Sequence, residues 1–388
     1  MGDNSKKPGI RFKGFTDDWE QRKLGEVFKE YSEKNHIELP ALTIIQGGGT
    51  VKRDESDRNL MYDKSNLSSY KMVKKDDFIV HLRSFEGGLE KASMDGIVSP
   101  AYHTFQGENV DSRFYYPYFR SHEFIKKKLI PHVYGIRDGR SIDIDGMKTI
   151  EIPYISLREQ QLIGNYLDCI DNLITFHQRK CEQIKKLKKY MLQKMFPKEG
   201  QTVPEVRFEG FTDAWEKRKL SEIADKVTEK NKNNEFSEPF TNSAEQGIIS
   251  QKDYFDREIV NNENLDGYYI VRNNDFIYNP RISVTAPVGP INRNRLGRDG
   301  VMSPLYTVFR THDIDNLYLE FYFKTTKWHR FMKLNGDSGA RFDRFTISST
   351  QFMEMPIPYP RIEEQKKIGE YFQNLDHLIT LHQRKYKN

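Results

Sequence analysis

The chain contains the same module twice. A segment that begins at Ile10, IRFKGFTDDWEQRKLGEVF, returns at Val206 as VRFEGFTDAWEKRKLSEIA. A second segment, EQQLIGNYLDCIDNLITFHQRK from Glu159, returns from Glu364 as EQKKIGEYFQNLDHLITLHQRK. Self-similarity of this kind means that each copy folds as one structural unit. The chain is therefore constrained to two modules of the same architecture.

The two copies share a framework and differ in their interiors. VKKDDFIV at Val73 matches VRNNDFIY at Val271, and GIVSPAY at Gly96 matches GVMSPLY at Gly300. These short β-branched and aromatic runs, broken by Gly, Asn and Asp, predict strands. In each copy an aromatic-rich helical stretch follows them, and then a Pro-bounded strand, IEIPY or MEMPIPYP. Each module is therefore predicted to be α+β in class.

A long helix is predicted from Arg158 to Phe196. It has no proline, and Ile163, Ile170, Ile184 and Met191 repeat at one heptad position. At about 1.5 Å per residue the helix is roughly 58 Å long, which suits a spacer between two domains. Polar side chains, His177 among them, interrupt the apolar seam. The helix is therefore expected to pack against a partner helix.

These patterns predict four segments. They are a first domain at 1–152, a central spacer helix at 153–200, a second domain at 201–357 and a C-terminal helix at 358–388. After the shared HQRK motif the first helix continues to Pro197, whereas the second reaches only Asn388. The second helix is therefore expected to be cut short relative to the first.

The composition predicts a cytoplasmic protein. There is no run of 18 apolar residues, and the N-terminal sequence MGDNSKKPG has no apolar signal-peptide core. Cys169 and Cys181 are 12 positions apart on the long helix, too far to form a disulfide with each other. The net charge of +5 is only a weak argument for a polyanionic partner.

No catalytic or metal-binding constellation is evident. Gly47 begins GGGT, which lacks the rest of a phosphate-binding loop. Asn279 begins NPRI, which differs from the Asn-Pro-Pro-aromatic motif of amino-methyltransferases, and no Gly-rich cofactor loop precedes it. His177 and His382 occupy matching helix positions and are interpreted as interface residues, not as metal ligands. The sequence therefore predicts a protein that binds, with no catalytic residue and no metal.

The predicted binding partner is DNA, and the residues that contact it are predicted in loops rich in arginine. Arginine can donate a forked pair of hydrogen bonds to guanine, and glycine neighbours allow the backbone to approach DNA closely. The alternative is that these arginines pair with local acids such as Asp138 or Asp343. The predicted DNA-contacting residues are His81, Arg83, Tyr134, Arg137, Arg140, Ser141, Arg281, Arg293, Arg295, Arg341 and Arg344.

Four repeated features resemble the specificity subunit of type I restriction–modification systems. They are the Arg-Phe-x-Gly-Phe-Thr-Asp-x-Trp-Glu-x-Arg-Lys-Leu entry, the Ile-Pro-Tyr strand, the Glu-Gln pair and the Leu-Ile-Thr-x-His-Gln-Arg-Lys helix. The resemblance covers essentially the whole chain. It implies two duplicated target-recognition domains, separated by long helices that pair as an antiparallel coiled coil. Each domain would read one half of a bipartite asymmetric site in double-stranded DNA.

The resemblance also implies partners. The helices would dock two modification (methyltransferase) subunits and, through them, restriction subunits. S-adenosylmethionine, ATP and Mg²⁺ would then be bound by those subunits and not by this chain. The helix interface is predicted to use Ile163, Tyr166, Ile170, Leu173, His177, Ile368, Leu375, Leu378 and His382.

Two other functions compete with this one. A stand-alone DNA methyltransferase or nuclease with an unrecognised site would need the cofactor loop or paired metal ligands that the sequence lacks. A scaffold with two protein-binding heads would not need the loop arginines.

Overall fold

The computed structural model describes residues 8–56, 64–81, 88–135, 141–254, 265–338 and 343–387. It divides into two compact units, 1–174 and 175–388. The boundary falls inside the long helix, so that the first unit holds the start of that helix and the second unit holds its end. Both units mix helices and strands, and the predicted α+β class is confirmed.

The described part of the first unit contains twelve strands, three short α-helices and the beginning of the long helix. In chain order they are β1 (Glu20–Lys23), α1 (Leu24–Val27), β2 (Phe28–Tyr31), β3 (Leu42–Ile45), β4 (Gly49–Lys52), β5 (Lys71–Val73), β6 (Phe78–His81), β7 (Glu90–Lys91), β8 (Gly96–Val98), β9 (Tyr102–Gly107), α2 (Ser112–Phe119), β10 (Val133–Tyr134), β11 (Ser141–Ile142), α3 (Ile144–Lys148), β12 (Glu151–Tyr154) and α4 (Leu157–Lys194).

The second unit repeats this order, with additional short helices. Its elements are β13 (Glu216–Lys219), β14 (Ala224–Lys226), β15 (Pro239–Ser243), β16 (Gly247–Ser250), α5 (Gln251–Tyr254), β17 (Tyr269–Val271), β18 (Phe276–Tyr278), β19 (Ile291–Arg293), β20 (Gly300–Met302), β21 (Thr307–Thr311), α6 (Asn316–Phe323), α7 (His329–Asn335), β22 (Asp337–Ser338), β23 (Phe345–Thr346), α8 (Ser349–Met353), β24 (Pro356–Tyr359) and α9 (Ile362–Lys387).

A four-stranded antiparallel sheet forms the centre of each unit. Its strand order is β2-β9-β6-β7 in the first unit and β14-β21-β18-β19 in the second. In the second unit β16-β15-β20-β17 make another four-stranded sheet, in which β15 and β20 are parallel. In the first unit the matching strands form two pairs, β3-β4 and β5-β8, and a parallel bridge from Ala41 to Ile97 joins these pairs.

Alternation along the central strands places a core on each side of the sheet. In β6, Phe78 and Val80 join the cluster that holds α2, whereas Ile79 joins a smaller cluster with Leu42 and Val98. β18 behaves in the same way, because Phe276 and Tyr278 pack on one face and Ile277 on the other. Successive side chains of a strand point to opposite faces, so DDFIV and NDFIY supply both cores from one short run.

An ion pair ties the entry segment of each unit to its long helix. Arg11 Nε donates to Glu159 Oε1 at 2.6 Å, and Arg207 Nε donates to Glu364 Oε1 at 2.7 Å. In both pairs Nη2 bonds the second carboxylate oxygen at 2.8 Å, and both glutamates are almost fully buried. These hydrogen bonds to glutamate raise the pKa of Arg11 and Arg207. The repeated sequence motif therefore encodes a buried, bidentate ion pair between the entry segment and the long helix.

The following glutamine repeats its contacts as well. Gln160 Oε1 accepts from the backbone N–H of Asp111, and its Nε2 donates to the carbonyl of Ile155, both at 2.8 Å. Gln365 makes the same two bonds, to Asp315 at 2.9 Å and Pro360 at 2.8 Å. The Glu-Gln pair thus attaches each long helix both to the entry segment and to the start of the aromatic helix.

The end of α4 is part of the core of the second unit. Met195 and Phe196 are buried, and the Phe196 ring lies beside those of Trp215, Tyr318 and Phe372. Trp215 is only 3% exposed, whereas its counterpart in the first unit, Trp19, is half-buried. The difference follows from the extra apolar cover that the helix end gives the second unit.

Within the second unit, α4 and α9 pair antiparallel. His177 contacts His382, Cys181 lies against the carbonyl of Ile379, and Lys188 bonds Asp376. Numbers rise along one helix as they fall along the other, which defines the direction. The predicted antiparallel helix pair is confirmed.

Candidate nucleic-acid interface

Two segments of the second unit that were predicted to contact DNA lie side by side. The β18–β19 connection, residues 279–290, meets residues 343–345 through a β-bridge between Arg281 and Arg344. The N–H of Ile282 donates to the carbonyl of Asp343 at 3.1 Å, and the N–H of Phe345 donates to that of Pro280 at 2.7 Å. We call residues 279–290 together with 343–345 the reading edge. Segments more than 50 residues apart in sequence thus form one surface.

The arginines of this edge project into solvent. Arg281 is exposed and Arg344 has a side chain that is 54% exposed. Asp343 is 4.0 Å from Arg344, at the limit of an ion pair, and an exposed pair of this kind contributes little. Among the residues that the structure describes, no acid lies within ion-pair distance of Arg281. Both guanidinium groups are therefore available to an anionic ligand.

Asn279 holds the edge in place and is not a base-binding asparagine in this arrangement. Its Oδ1 accepts from the N–H of Arg281 at 2.9 Å, and its Nδ2 donates to the carbonyl of Asn242 at 2.8 Å. Both polar atoms of the NPRI asparagine are thus engaged inside the protein. This agrees with the sequence comparison, which separated NPRI from the methyltransferase motif.

The predicted residues Arg293 and Arg295 are engaged elsewhere. Each donates through Nε to Glu320 Oε2 at 2.8 Å. Burial lowers the pKa of Arg293, whose side chain is 10% exposed, whereas that of Arg295 is 42% exposed. Arg298, three residues after Arg295, forms a bidentate pair with Glu238. Glu320 thus accepts from the Nε of both Arg293 and Arg295, and the Arg293 side chain is largely withdrawn from solvent.

In the first unit only the arms of the predicted loop are described. Tyr134 on β10 pairs with Ser141 on β11, and Tyr134 is 60% exposed. His81 ends β6, the strand equivalent to β18. Arg83, Arg137, Arg140 and Arg341 lie outside the described residues. Contact with DNA by any of these residues stays a prediction.

A polar cluster beneath a loop of the first unit has no signature in the sequence. Glu90, 4% exposed, accepts from the N–H groups of Gly47 and Gly49, from the Tyr116 hydroxyl and from the Arg120 guanidinium. A buried carboxylate with four donors fixes the position of the GGGT turn. No local pattern reveals this, because the donors lie 26 to 43 residues away.

The second unit has amides at the corresponding place. Asn292 on β19 donates to Asn242 Oδ1 at 2.7 Å, and Lys324 donates to Asn292 Oδ1 at 2.5 Å. Asn242 in turn donates to the carbonyls of Ile277 and Pro290. The shared framework thus supports differently anchored loops in the two units.

The predicted helix-interface residues fall into different surroundings. Ile163 packs on the core of the first unit, and Tyr166 contacts Phe12 edge-on with ring centroids 5.9 Å apart. Ile368 and Leu375 are buried in the core of the second unit, and the partly buried Ile184 and Met191 of α4 pack against that core. The helix faces that carry these residues therefore also cover the domain cores.

The remaining interface residues are more exposed. Ile170 is half-buried, Leu173 is 53% exposed and Leu378 is 39% exposed. His177 and His382 bring their Nδ1 atoms within 2.9 Å. Burial first, and then the positive charges of Lys385 and His382, lower the pKa of His177. A role for all nine residues in binding partner helices stays a prediction.

In the part of the chain that the structure describes, no group of three or more His, Cys, Asp or Glu side chains could hold a metal ion. No helix found there is long and apolar enough to cross a membrane.

Known proteins are similar to this chain in sequence. A putative type I restriction enzyme MjaX specificity subunit from Methanocaldococcus jannaschii is 25% identical, over 94% of this chain and 88% of the relative. The type I restriction enzyme MjaVIII specificity subunit of the same organism is 26% identical, over 65% of this chain and 59% of the relative.

Two solved structures share the fold. The HsdS subunit from Thermoanaerobacter tengcongensis has a TM-score of 0.50 and 16% identity, covering 95% of this chain and 91% of that one. The type I restriction–modification S subunit from M. genitalium has a TM-score of 0.50 and 14% identity, covering 98% of this chain and 95% of that one. The profile of the type I restriction modification DNA specificity domain matches twice, at residues 16–186 and 212–388. Each match covers most of one copy of the repeated module, from just after its entry arginine through its long helix, and the chain therefore belongs to the family of type I restriction–modification specificity subunits.

Proposed function

We propose that this chain is the DNA-reading subunit of a type I restriction–modification complex. Each unit reads one half of a bipartite, asymmetric site in double-stranded DNA, and the long helices set the gap between the halves. One observation carries the proposal. The Arg–Glu–Gln contacts are the same in both units, whereas the loops that they support are held differently. Glu90 holds the loop of the first unit, and asparagines hold that of the second. A constant frame with variable loops suits two readers of different sequences.

The chain itself is proposed to be non-catalytic. Its helices dock two modification subunits and, through them, restriction subunits, in the cytoplasm. S-adenosylmethionine, ATP and Mg²⁺ are held by those subunits. The exposed arginines of the reading edge support DNA binding, because Arg is the residue that most often reads guanine or neutralises phosphate.

Selection from a random pool of duplex DNA tests the proposal. The chain, assembled with its modification subunits, should enrich two short constant blocks separated by a gap of fixed length. Enrichment of one continuous block, or of no sequence, would contradict a two-headed reader. The isolated chain incubated with radiolabelled S-adenosylmethionine and DNA should transfer no methyl group. Transfer by the isolated chain would support the alternative of a stand-alone methyltransferase.

A further inference from the structure

One apolar side chain on the reading edge has no role in the fold. Val284, at the tip of the β18–β19 connection, is completely exposed. A valine in this position is unusual, because turn tips favour Gly, Asn, Asp, Ser or Pro, and a β-branched side chain gains nothing from full exposure to water.

The turn that carries Val284 is tightly built. Ser283 and Ala286 exchange both backbone N–H···O bonds at 3.1 Å. Ser283 Oγ also accepts from the Ala286 N–H at 3.1 Å and lies 3.2 Å from Thr285 Oγ1. None of these bonds uses the Val284 side chain. The turn therefore presents one isopropyl group in a fixed position.

The base of the connection is equally constrained. A Cβ on Gly289, which has φ +83°, would lie 2.1 Å from the carbonyl oxygen of Asn279. The N–H of Asn279 donates to the carbonyl of Pro290 at 3.0 Å, closing the two arms onto each other. Ala286 and Val288 are buried beneath the turn. The whole connection is thus anchored in the unit, and Val284 is its outermost apolar group.

The surroundings indicate what Val284 meets. Two arginines make the surface basic. Arg281 lies three residues before Val284 in the chain, and Arg344 forms a β-bridge with Arg281. An apolar group on the same edge as two exposed arginines suits the major groove, where the thymine C5-methyl is the one apolar feature among hydrogen-bonding base edges. We propose that Val284 recognises the C5-methyl group of a thymine in the half-site of the second unit, an inference that rests on the proposed function.

Replacement of thymine by deoxyuridine tests the contact, because it removes only the methyl group. The half-site is first defined by the selection experiment, and each of its thymines is then replaced singly in a labelled duplex. At one position the substitution should raise the Kd of the full chain about fourfold, which is the change expected when the burial of one methyl group is lost. Val284→Ser should bind the thymine and deoxyuridine duplexes equally at that position, and otherwise behave as the wild type.

A matched control is Leu305→Ser, which removes another exposed apolar side chain (59% exposed) from the β20–β21 turn of the same unit. This variant should keep the full preference for thymine. The inference is overturned if the half-site contains no thymine, or if Val284→Ser discriminates against deoxyuridine as the wild type does. Unchanged discrimination together with weaker binding of modification subunits would instead assign Val284 to a protein contact. Failure of the wild-type chain to select any DNA would refute the proposed function itself.

Discussion

Replacing Phe196 by alanine should destabilise the second unit strongly. The Phe196 side chain is 1% exposed and lies among the rings of Trp215, Tyr318, Tyr322 and Phe372. A buried phenylalanine removes about 150–200 Å² of apolar surface from water, which at about 25 cal/mol per Å² is worth roughly 4–5 kcal/mol. Losses of about 3–5 kcal/mol are typical when a buried Phe becomes Ala.

Calorimetry of the full chain measures the effect. A loss of that size should lower the midpoint of the second unit by roughly 6–20 °C, while hydrogen exchange shows little change in the first unit. Phe176→Ala on the same helix is the control, because its side chain is 51% exposed, and it should cost no more than about 1 kcal/mol. Equal losses for the two variants would refute the argument that the end of α4 belongs to the core of the second unit.

Three further predictions follow from other contacts. Glu364→Ala leaves Arg207 buried without its partner, so urea unfolding should show the second unit destabilised by about 3–5 kcal/mol; a loss below about 1 kcal/mol would contradict a buried ion pair. The lowered pKa of His177 means that the unfolded chain takes up the proton first as pH falls, so stability is complete above the ordinary pKa of 6.5 and decreases below it. The thermal midpoint should therefore fall between about pH 7.5 and pH 5.5, and it should fall less in His382→Gln. An identical fall in that variant would disprove that His382 contributes to the lowered pKa of His177. Arg281→Ala should cost about 1–3 kcal/mol of DNA affinity and relax one base position if it reads a base, or weaken all sequences alike if it binds phosphate; unchanged affinity would remove it from the interface.

The sequence predicted the frame of the fold because its signals are local and repeated. The long helix, expected from Arg158 to Phe196, spans Leu157–Lys194, and the DDFIV run became β6. The Glu-Gln pair was recognised as a motif, but its contacts with Arg11 and Asp111 depend on tertiary structure.

The binding surface was predictable only in part. Arg281 and Arg344 were identified from their loop context, and the structure brings them together. Arg293 has the same context, yet it pairs with Glu320, an acid 27 residues away that arrives on α6. Loop composition reports which arginines could bind DNA. Pairing across the fold decides which of them are free to do so.

The most direct test of the account is an exchange of one interior. A hybrid that keeps residues 1–200 but takes the span from about 226 to 351 from a related specificity subunit is assembled with the modification subunits, and the methylated sites of a host genome are sequenced. One half-site should be retained unchanged while the other becomes that of the donor. A simultaneous change in both halves, or no change in either, would contradict the claim that each unit reads its own half of the site.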